Sequence, residues 1–129
     1  MISTVVNVNI VGSIVLKMVS LDRVFDLLSN ERRRYALYYL EQHDGPVPID
    51  EVAEQVAEWE TDGAPSSIPE EKFDRVEVSL YHNVFPKAAE AKYVEYDPEE
   101  EVVEVTGTPP EVEAIITVAK VVERPDRNP

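Results

Sequence analysis

The 129-residue sequence contains no cysteine, which excludes disulfide bridges, zinc–thiolate sites and thiol nucleophiles. Histidine is also scarce: the two histidines, His43 and His82, lie far apart in the chain. The four glycines are isolated and form no phosphate-binding loop. No nucleophile elbow and no metal-ligand pair at helical spacing is present either. The sequence therefore predicts a protein that is not an enzyme and that uses no metal or cofactor.

Long apolar runs are also missing, apart from residues 1–19, which are apolar and rich in β-branched side chains. This run is short for a bilayer span and is interrupted by Asn7, Asn9 and Lys17. It has no basic start, so a signal peptide is not expected. Membrane attachment is the weakest interpretation, and we expect a cytoplasmic protein. The run is either an extra strand or translated upstream sequence, because Met18 would start a chain that enters the first clear helix.

Basic residues are few, with 12 Lys and Arg against 26 Asp and Glu, for a formal net charge of −14. Nearly all of it, −13, belongs to residues 46–107, whereas residues 1–45 are neutral. Because 43% of the residues are hydrophobic, the chain still has enough apolar material for a folded domain. The composition favours adaptation to concentrated salt, where carboxylate repulsion is screened. The alternatives are an acidic mesophilic protein or one that binds a basic partner.

Hydrophobic periodicity predicts four helices, a hairpin and a last helix. Ser20, Asn30 and Asp50 are suited to cap the first three helices. The apolar, inward face of the first helix is predicted from helical spacing to consist of Leu21, Val24, Phe25 and Leu28. The last segment is heavily β-branched, so a strand is the alternative there. The predicted elements are helices at about 20–28, 31–42, 50–60 and 70–84, strands within 93–106 around an Asp-Pro turn, and a helix at about 109–123.

This order predicts a mainly α fold with a small β-hairpin, that of a winged helix-turn-helix domain. The third and fourth helices would form the helix-turn-helix, and the hairpin would be the wing. The predicted organisation is an N-terminal extension over 1–19, the winged helix-turn-helix domain over 20–106, and a C-terminal helix with a frayed tail over 107–129.

Five stretches resemble an uncharacterised winged-helix domain family that is common in haloarchaea and distantly similar to ArsR- and MarR-type regulators. They are LSNERRR (28–34), IDEVA (49–53), VEVSLYHN (76–83), FPK (85–87) and AKYVEYD (91–97). The sequence departs from that pattern before the first wing strand, where a glycine is usual and Lys92-Tyr93 stands here. The resemblance implies a haloarchaeal, cytoplasmic transcription regulator. It implies no particular operator or ligand.

The fourth helix is the candidate recognition helix. Lys72, Arg75, Ser79 and His82 share one side of it, and Lys87 follows just beyond. These side chains suit phosphates and base edges. The alternative is the ordinary solvated face of an amphipathic helix, because four carboxylates on the same helix would repel phosphate: Glu70, Glu71, Asp74 and Glu77.

Arg32, Arg33 and Arg34 form the densest basic cluster. Arg32 and Arg33 are the candidates for gripping a DNA backbone beside the helix-turn-helix. The alternative, which we favour, is intramolecular, since successive helical residues point about 100° apart. One arginine would then pair with a carboxylate, and one would lie over the core.

The turn of the predicted wing carries Asp97 and Glu99–Glu101, although a wing that touches phosphates normally uses Lys or Arg. Three alternatives follow: the wing does not contact DNA, cations bridge it to phosphate at high salt, or the domain binds protein. A calcium loop is disfavoured because the ligand spacing is wrong.

Two functions follow as predictions. The first is a DNA-binding transcription regulator of a halophile, active at high salt and homodimeric through 109–123 and the terminal segment. The second is a non-enzymatic protein-interaction or dimerisation module on the same fold.

Overall fold

The computed structural model describes residues 21–61 and 68–125, which form a mainly helical domain with a small antiparallel sheet. The elements are α1 (21–28), α2 (Glu31–Leu40), β1 (Val47–Pro48), α3 (Ile49–Thr61), α4 (Glu70–Ser79), a π-helical segment (Leu80–Val84), α5 (Phe85–Glu90), β2 (Val94–Asp97), β3 (Val102–Val105) and α6 (Pro110–Glu123). The predictions for residues 1–19, for the Ser20 cap, for most of the loop at 61–69 and for the end of the tail lie outside the described residues.

The break between α1 and α2 is confirmed at Asn30. Its side chain accepts a hydrogen bond of 3.0 Å from the Arg33 backbone N–H, as an N-cap residue should. Val24 and Leu28 are buried as expected, and Leu27 joins them. Leu21 and Phe25, however, were expected on the buried face and are exposed. The side of α1 that meets the core is formed by Val24, Leu27 and Leu28. Leu21 and Phe25 lie beyond the edge of that side and face solvent.

The start of α3 differs from the prediction. Asp50 lies in the first turn of the helix, which already begins at Ile49. The two residues before it form β1, a strand that the sequence does not predict, because two residues are too few to show alternation. The Ile49 backbone N–H donates to the Glu101 carbonyl at 2.9 Å. The start of α3 is thereby joined to the turn of the hairpin.

The predicted fourth helix, 70–84, is more than one element. It begins at Glu70 as predicted, but α-helical bonding ends at Ser79 and a π-helical turn follows. The Phe85 N–H donates to the Leu80 carbonyl, which is the wider i→i+5 bond. Pro86 has no N–H for the α-helical ladder, so the chain widens just before it and continues as α5 rather than breaking.

The predicted hairpin is confirmed, and the sheet has the order β1-β3-β2 with both pairs antiparallel. Val103 is the central residue, opposite Val47 on one side and Tyr96 on the other. Before β2, Lys92 adopts φ 65°, the left-handed conformation that glycine tolerates best. The turn that a glycine usually makes is therefore formed here by a lysine.

The core is aliphatic at its centre, where Val52 and Val56 of α3, Val76 of α4 and Leu80 of the π-helical turn are fully buried. α6 is a helix and not a strand, and it closes the core with Val112 and Ile116. No helix among residues 21–61 and 68–125 is long and apolar enough to cross a membrane.

Candidate nucleic-acid interface

The outer side of α4 and the π-helical turn presents two of the predicted contact residues to solvent. Arg75 and His82 are exposed, whereas Ser79 is half-buried. Arg75 forms no ion pair with any residue in the described part of the chain. Of the five lysines and arginines predicted to contact DNA, it is therefore the one best placed to meet an anionic partner.

Lys72, also predicted on this face, points instead toward α2 and α3. Its Nζ lies 2.7 Å from Oε1 of Glu60. The Arg32 guanidinium donates two hydrogen bonds of 2.7 Å to the same carboxylate. The cluster Arg32–Glu60–Lys72 therefore ties together the start of α2, the end of α3 and the start of α4.

Glu60 is the buried member of this cluster, with a side chain only 8% exposed. Burial raises the pKa of its carboxyl, but hydrogen bonds from Arg32 and Lys72 outweigh burial and lower that pKa. The two cations share one carboxylate, and the adjoining cleft is lined by Ser79, Asn83 and Glu31. The cluster stabilises the junction of three helices and leaves neither cation fully available to phosphate.

The other arginines of the triplet are also engaged within the molecule. Arg33 is buried and donates at 2.8 Å to the backbone carbonyls of Leu27 and Asp26, which end α1. Arg34 donates two hydrogen bonds, of 2.8 and 2.7 Å, to the carboxylate of Glu123 at the end of α6. All three arginines therefore make their contacts within the molecule. The carboxylates that bind Arg32 and Arg34 are Glu60 and Glu123, which the sequence alone does not identify.

Lys87 is engaged as well. Its Nζ lies 2.7 Å from Oδ2 of Asp26. A hydrogen bond from Lys87 and its charge lower the pKa of Asp26. This pair joins α5 to α1 at the surface, where such an ion pair stabilises the fold only weakly.

The turn of the hairpin is ordered by its own acidic side chain. Oδ1 of Asp97 accepts from the backbone N–H groups of Glu99 and Glu100, at 3.0 and 3.2 Å. This Asx turn explains Asp97 as a structural residue. Along the strands, Glu95 lies directly opposite Glu104, so two like charges face each other across the sheet.

A second concentration of negative charge surrounds Glu77 on α4. Burial raises its pKa, and the charges of Asp50, Asp74 and Glu101 raise it further. The side of α4 that faces the hairpin turn is therefore strongly negative. Within the described residues, no group of three or more His, Asp and Glu side chains is arranged to hold a metal ion.

Asn83 is the residue that sequence reasoning missed. It is exposed and lines the cleft with Ser79 and Arg32. Asn83 follows Ser79 by four residues, as Ser79 follows Arg75, so i, i+4 helical spacing is the signal that could have found it. Its amide can both donate to and accept from a base edge.

These observations define a small, mainly helical domain in which a three-stranded antiparallel sheet flanks a central helical pair. The chain belongs to the family described as a domain of unknown function, DUF7344, whose profile matches residues 25–104. No curated protein matches the chain, and no solved structure matches it. The match ends before α6, so the last helix lies outside the shared domain.

Proposed function

We propose that this chain is a winged helix-turn-helix protein that binds double-stranded DNA at high salt as a transcription regulator. The observation that carries the proposal is the order of the elements. α3 and α4 are consecutive, packed helices, and the hairpin β2–β3 follows α4 with only the π-helical turn and α5 between them. That order supports α3 and α4 as the helix-turn-helix and the hairpin as its wing.

The contact surface would be the outer side of α4 and the π-helical turn. Arg75 supplies a charge, while Ser79, His82 and Asn83 supply shorter polar side chains suited to phosphates and base edges. Lys72, Lys87, Arg32 and Arg33 lie behind or beside this surface. Their primary contacts are within the fold. Arg32 and Lys72 would support binding by positioning α4, whereas Arg33 and Lys87 bind the end of α1.

High salt is a condition of this function. The hairpin turn and the Glu77 side of α4 would repel phosphate strongly in dilute buffer. At about 1 M ionic strength the Debye length falls to about 3 Å, so only charges in near contact still interact. Binding would then depend on short-range hydrogen bonds and shape, and not on the field of the whole molecule.

The proposal is tested by selecting duplexes from a random-sequence pool with the full chain in about 2 M KCl, and then measuring affinity by fluorescence anisotropy. Arg75→Ala should weaken binding to the selected duplex by about 1–3 kcal/mol, roughly 5- to 150-fold, if Arg75 reads a base. Arg124→Ala is the matched control, because Arg124 is exposed at the far end of α6. Absence of any enriched duplex, or equal affinity of both variants, would contradict the proposal.

A protein-interaction role is the second candidate, and the ion pairs favour it. Four of the five cationic residues predicted to touch DNA already have partners within the fold, and the exposed hairpin turn is acidic. A basic peptide would fit that turn. Replacing Glu99, Glu100 and Glu101 together by Gln should abolish binding of a lysine-rich probe peptide under this alternative. Under the DNA proposal the same change leaves binding to the selected duplex intact or strengthens it.

A further inference from the structure

β2 is an outer strand of the sheet that the described residues form, because the strand order is β1-β3-β2. In an antiparallel pair, alternate residues of a strand bond to the neighbouring strand, and the others direct their N–H and C=O groups away from it. The Thr106 N–H donates to the Tyr93 carbonyl at 3.1 Å, so every second residue from Tyr93 to Asp97 bonds toward β3. The main-chain groups of Val94 and Tyr96 therefore point outward, and we call these four groups the β2 edge.

The other side of β3 shows the complementary alternation. The Ile49 N–H donates to the Glu101 carbonyl on the β1 side. Pro48, which has no N–H, lies opposite Val102, so the bonds between β1 and β3 are made at the neighbouring positions. Val102 is thus left to bond to β2, which agrees with the outward direction of the β2 edge.

A cleft of about 560 Å³ adjoins β2. All four residues of the strand line it, and it extends to Ala89 of α5, to Pro98 after the strand and across β3 to Pro46. Such a cleft gives an extended chain access to the strand. Peptides that add a strand to a sheet gain affinity from main-chain hydrogen bonds and specificity from alternate side chains.

The two faces of β2 differ in chemistry. The Val94 side chain is 2% exposed, and Tyr96 packs against Phe85 with ring centroids 6.1 Å apart, so this face adjoins the core. Glu95 and Asp97 alternate with them and are exposed on the other face. A strand added to the β2 edge would therefore place one set of alternate side chains beside apolar residues and the other set beside carboxylates.

The carboxylates select the charge of the added strand. Glu95 lies opposite Glu104, and no lysine or arginine of the described residues forms an ion pair with either. A basic side chain across the edge from Glu95 would offset this repulsion, whereas an acidic one would add to it. Charged residues on an edge strand prevent pairing between copies. Here they disfavour a second copy of β2, which is acidic, and favour a basic strand.

We infer that the β2 edge binds an extended segment of a basic partner protein, in which basic and apolar residues alternate. Its apolar side chains would lie opposite Val94 and Tyr96, and its basic side chains opposite Glu95 and Asp97. The inference does not depend on DNA binding, since the edge is not part of the α4 surface. It also differs from a basic peptide at the hairpin turn, which would contact Glu99–Glu101 without needing any alternation.

The experiment titrates the full chain with a synthetic peptide of alternating valine and lysine, and measures affinity by fluorescence anisotropy in about 0.2 M KCl. One version of the peptide carries N-methyl groups on its valines, and a second carries them on its lysines. Strand addition uses the N–H groups of only one set, so one version should lose binding and the other should keep it. Charge attraction alone predicts equal affinity, because the two versions have the same charge.

Variants of the chain locate the site. Glu95→Lys should weaken binding of the unmodified peptide by about tenfold, because it sets lysine against lysine across the edge. Glu99→Lys is the matched control, with the same change in net charge in the turn, and should weaken binding less. Hydrogen exchange reads the edge directly. The peptide should slow exchange of the Val94 and Tyr96 amides and leave that of Glu95, whose N–H faces β3, unchanged.

Three results would overturn the inference. One is equal affinity of the two methylated peptides. The second is a greater loss of binding in Glu99→Lys than in Glu95→Lys, which would move the peptide to the hairpin turn. The third is absence of peptide binding. If the Val94 and Tyr96 amides are then protected in the chain alone, its mass in solution would show whether a second copy or the same chain occupies the edge.

Discussion

The guanidinium of Arg34 and the carboxylate of Glu123, 89 residues apart in sequence, form a paired hydrogen bond with N–O distances of 2.8 and 2.7 Å. This contact joins the start of α2 to the end of α6. The hydroxyl of Tyr38 donates to the same carboxylate at 2.9 Å, so Glu123 satisfies two partners at once. The Arg34 hydrogen bond lowers the pKa of Glu123 by more than burial raises it, and the Tyr38 hydrogen bond lowers that pKa further.

Replacing Glu123 by Gln should therefore destabilise the protein by about 1–3 kcal/mol, the usual range for losing a charged hydrogen-bond partner. The measurement is the free energy of unfolding in urea. Hydrogen exchange should show faster exchange in α6 than in α3. Glu113→Gln removes an exposed carboxylate from the same helix and should change stability by less than about 0.5 kcal/mol. Equal losses in the two variants would mean that the pair with Arg34 does not hold α6.

Glu60 should make stability depend on pH. Its folded-state pKa lies below the ordinary value of 4.5, so its stabilising contribution is complete above that pH and is lost as the pH falls toward the lowered pKa. Glu60→Gln should therefore be less stable than the wild type at about pH 7, and the difference should shrink at about pH 3.

The measurement is the urea unfolding free energy of both proteins across that range. Glu54→Gln is the control, because Glu54 is exposed on the same helix and no lysine or arginine pairs with it among the described residues. A Glu60→Gln curve parallel to that of the wild type at all pH values would show that the carboxylate does not bind Arg32 and Lys72 in solution.

Lys92 should be a position where glycine stabilises the protein. The residue has φ 65°, and it closes α5 by donating its N–H to the Ala89 carbonyl while Tyr93 donates to Ala88. A side chain in this conformation costs about 1 kcal/mol relative to glycine. Lys92→Gly should raise the free energy of unfolding by about that amount. Lys92→Ala removes the same charge but keeps Cβ, so no gain is expected; a gain in both variants would assign the effect to charge.

The facing carboxylates Glu95 and Glu104 should make the hairpin sensitive to salt. Glu95→Lys replaces a repulsive cross-strand pair by an attractive one and should stabilise the domain by about 0.2–1 kcal/mol in dilute buffer. In about 2 M KCl the gain should vanish. Glu99→Lys is the control, because it changes the net charge by the same amount as Glu95→Lys but lies in the turn, where no residue is paired with it across the strands. If both variants gain equally in thermal stability, total charge is responsible and not the pair across the strands.

Much of the local structure could be predicted because it depends on neighbours in sequence. The Asn30 cap and the Asp-Pro turn each follow from side chains within a few residues of one another. β1 escaped prediction because it exists only through pairing with β3, more than fifty residues later. The π-helical turn could not be predicted either, because Pro86, which causes it, is equally compatible with a break, a new helix or a wider turn.

The candidate site depended more heavily on long-range contacts. The sequence correctly placed Arg75 and His82 on an outer face, yet it could not show that Lys72 turns inward to Glu60 or that Lys87 pairs with Asp26. Seventeen of the acidic residues lie within 46–107, so the sequence offers many carboxylates and no means of choosing among them.

The sequence by itself determined the class of the fold, the absence of thiol chemistry and the strong negative charge, because composition and periodicity are properties of the chain alone. Only the tertiary structure decided which cations stay available to a partner and which apolar residues remain uncovered. Arg32 and Arg75 are alike in sequence terms, but one meets a carboxylate brought by α3 and the other meets solvent. Charge pairing acts over a few ångströms in space, and folding sets those distances.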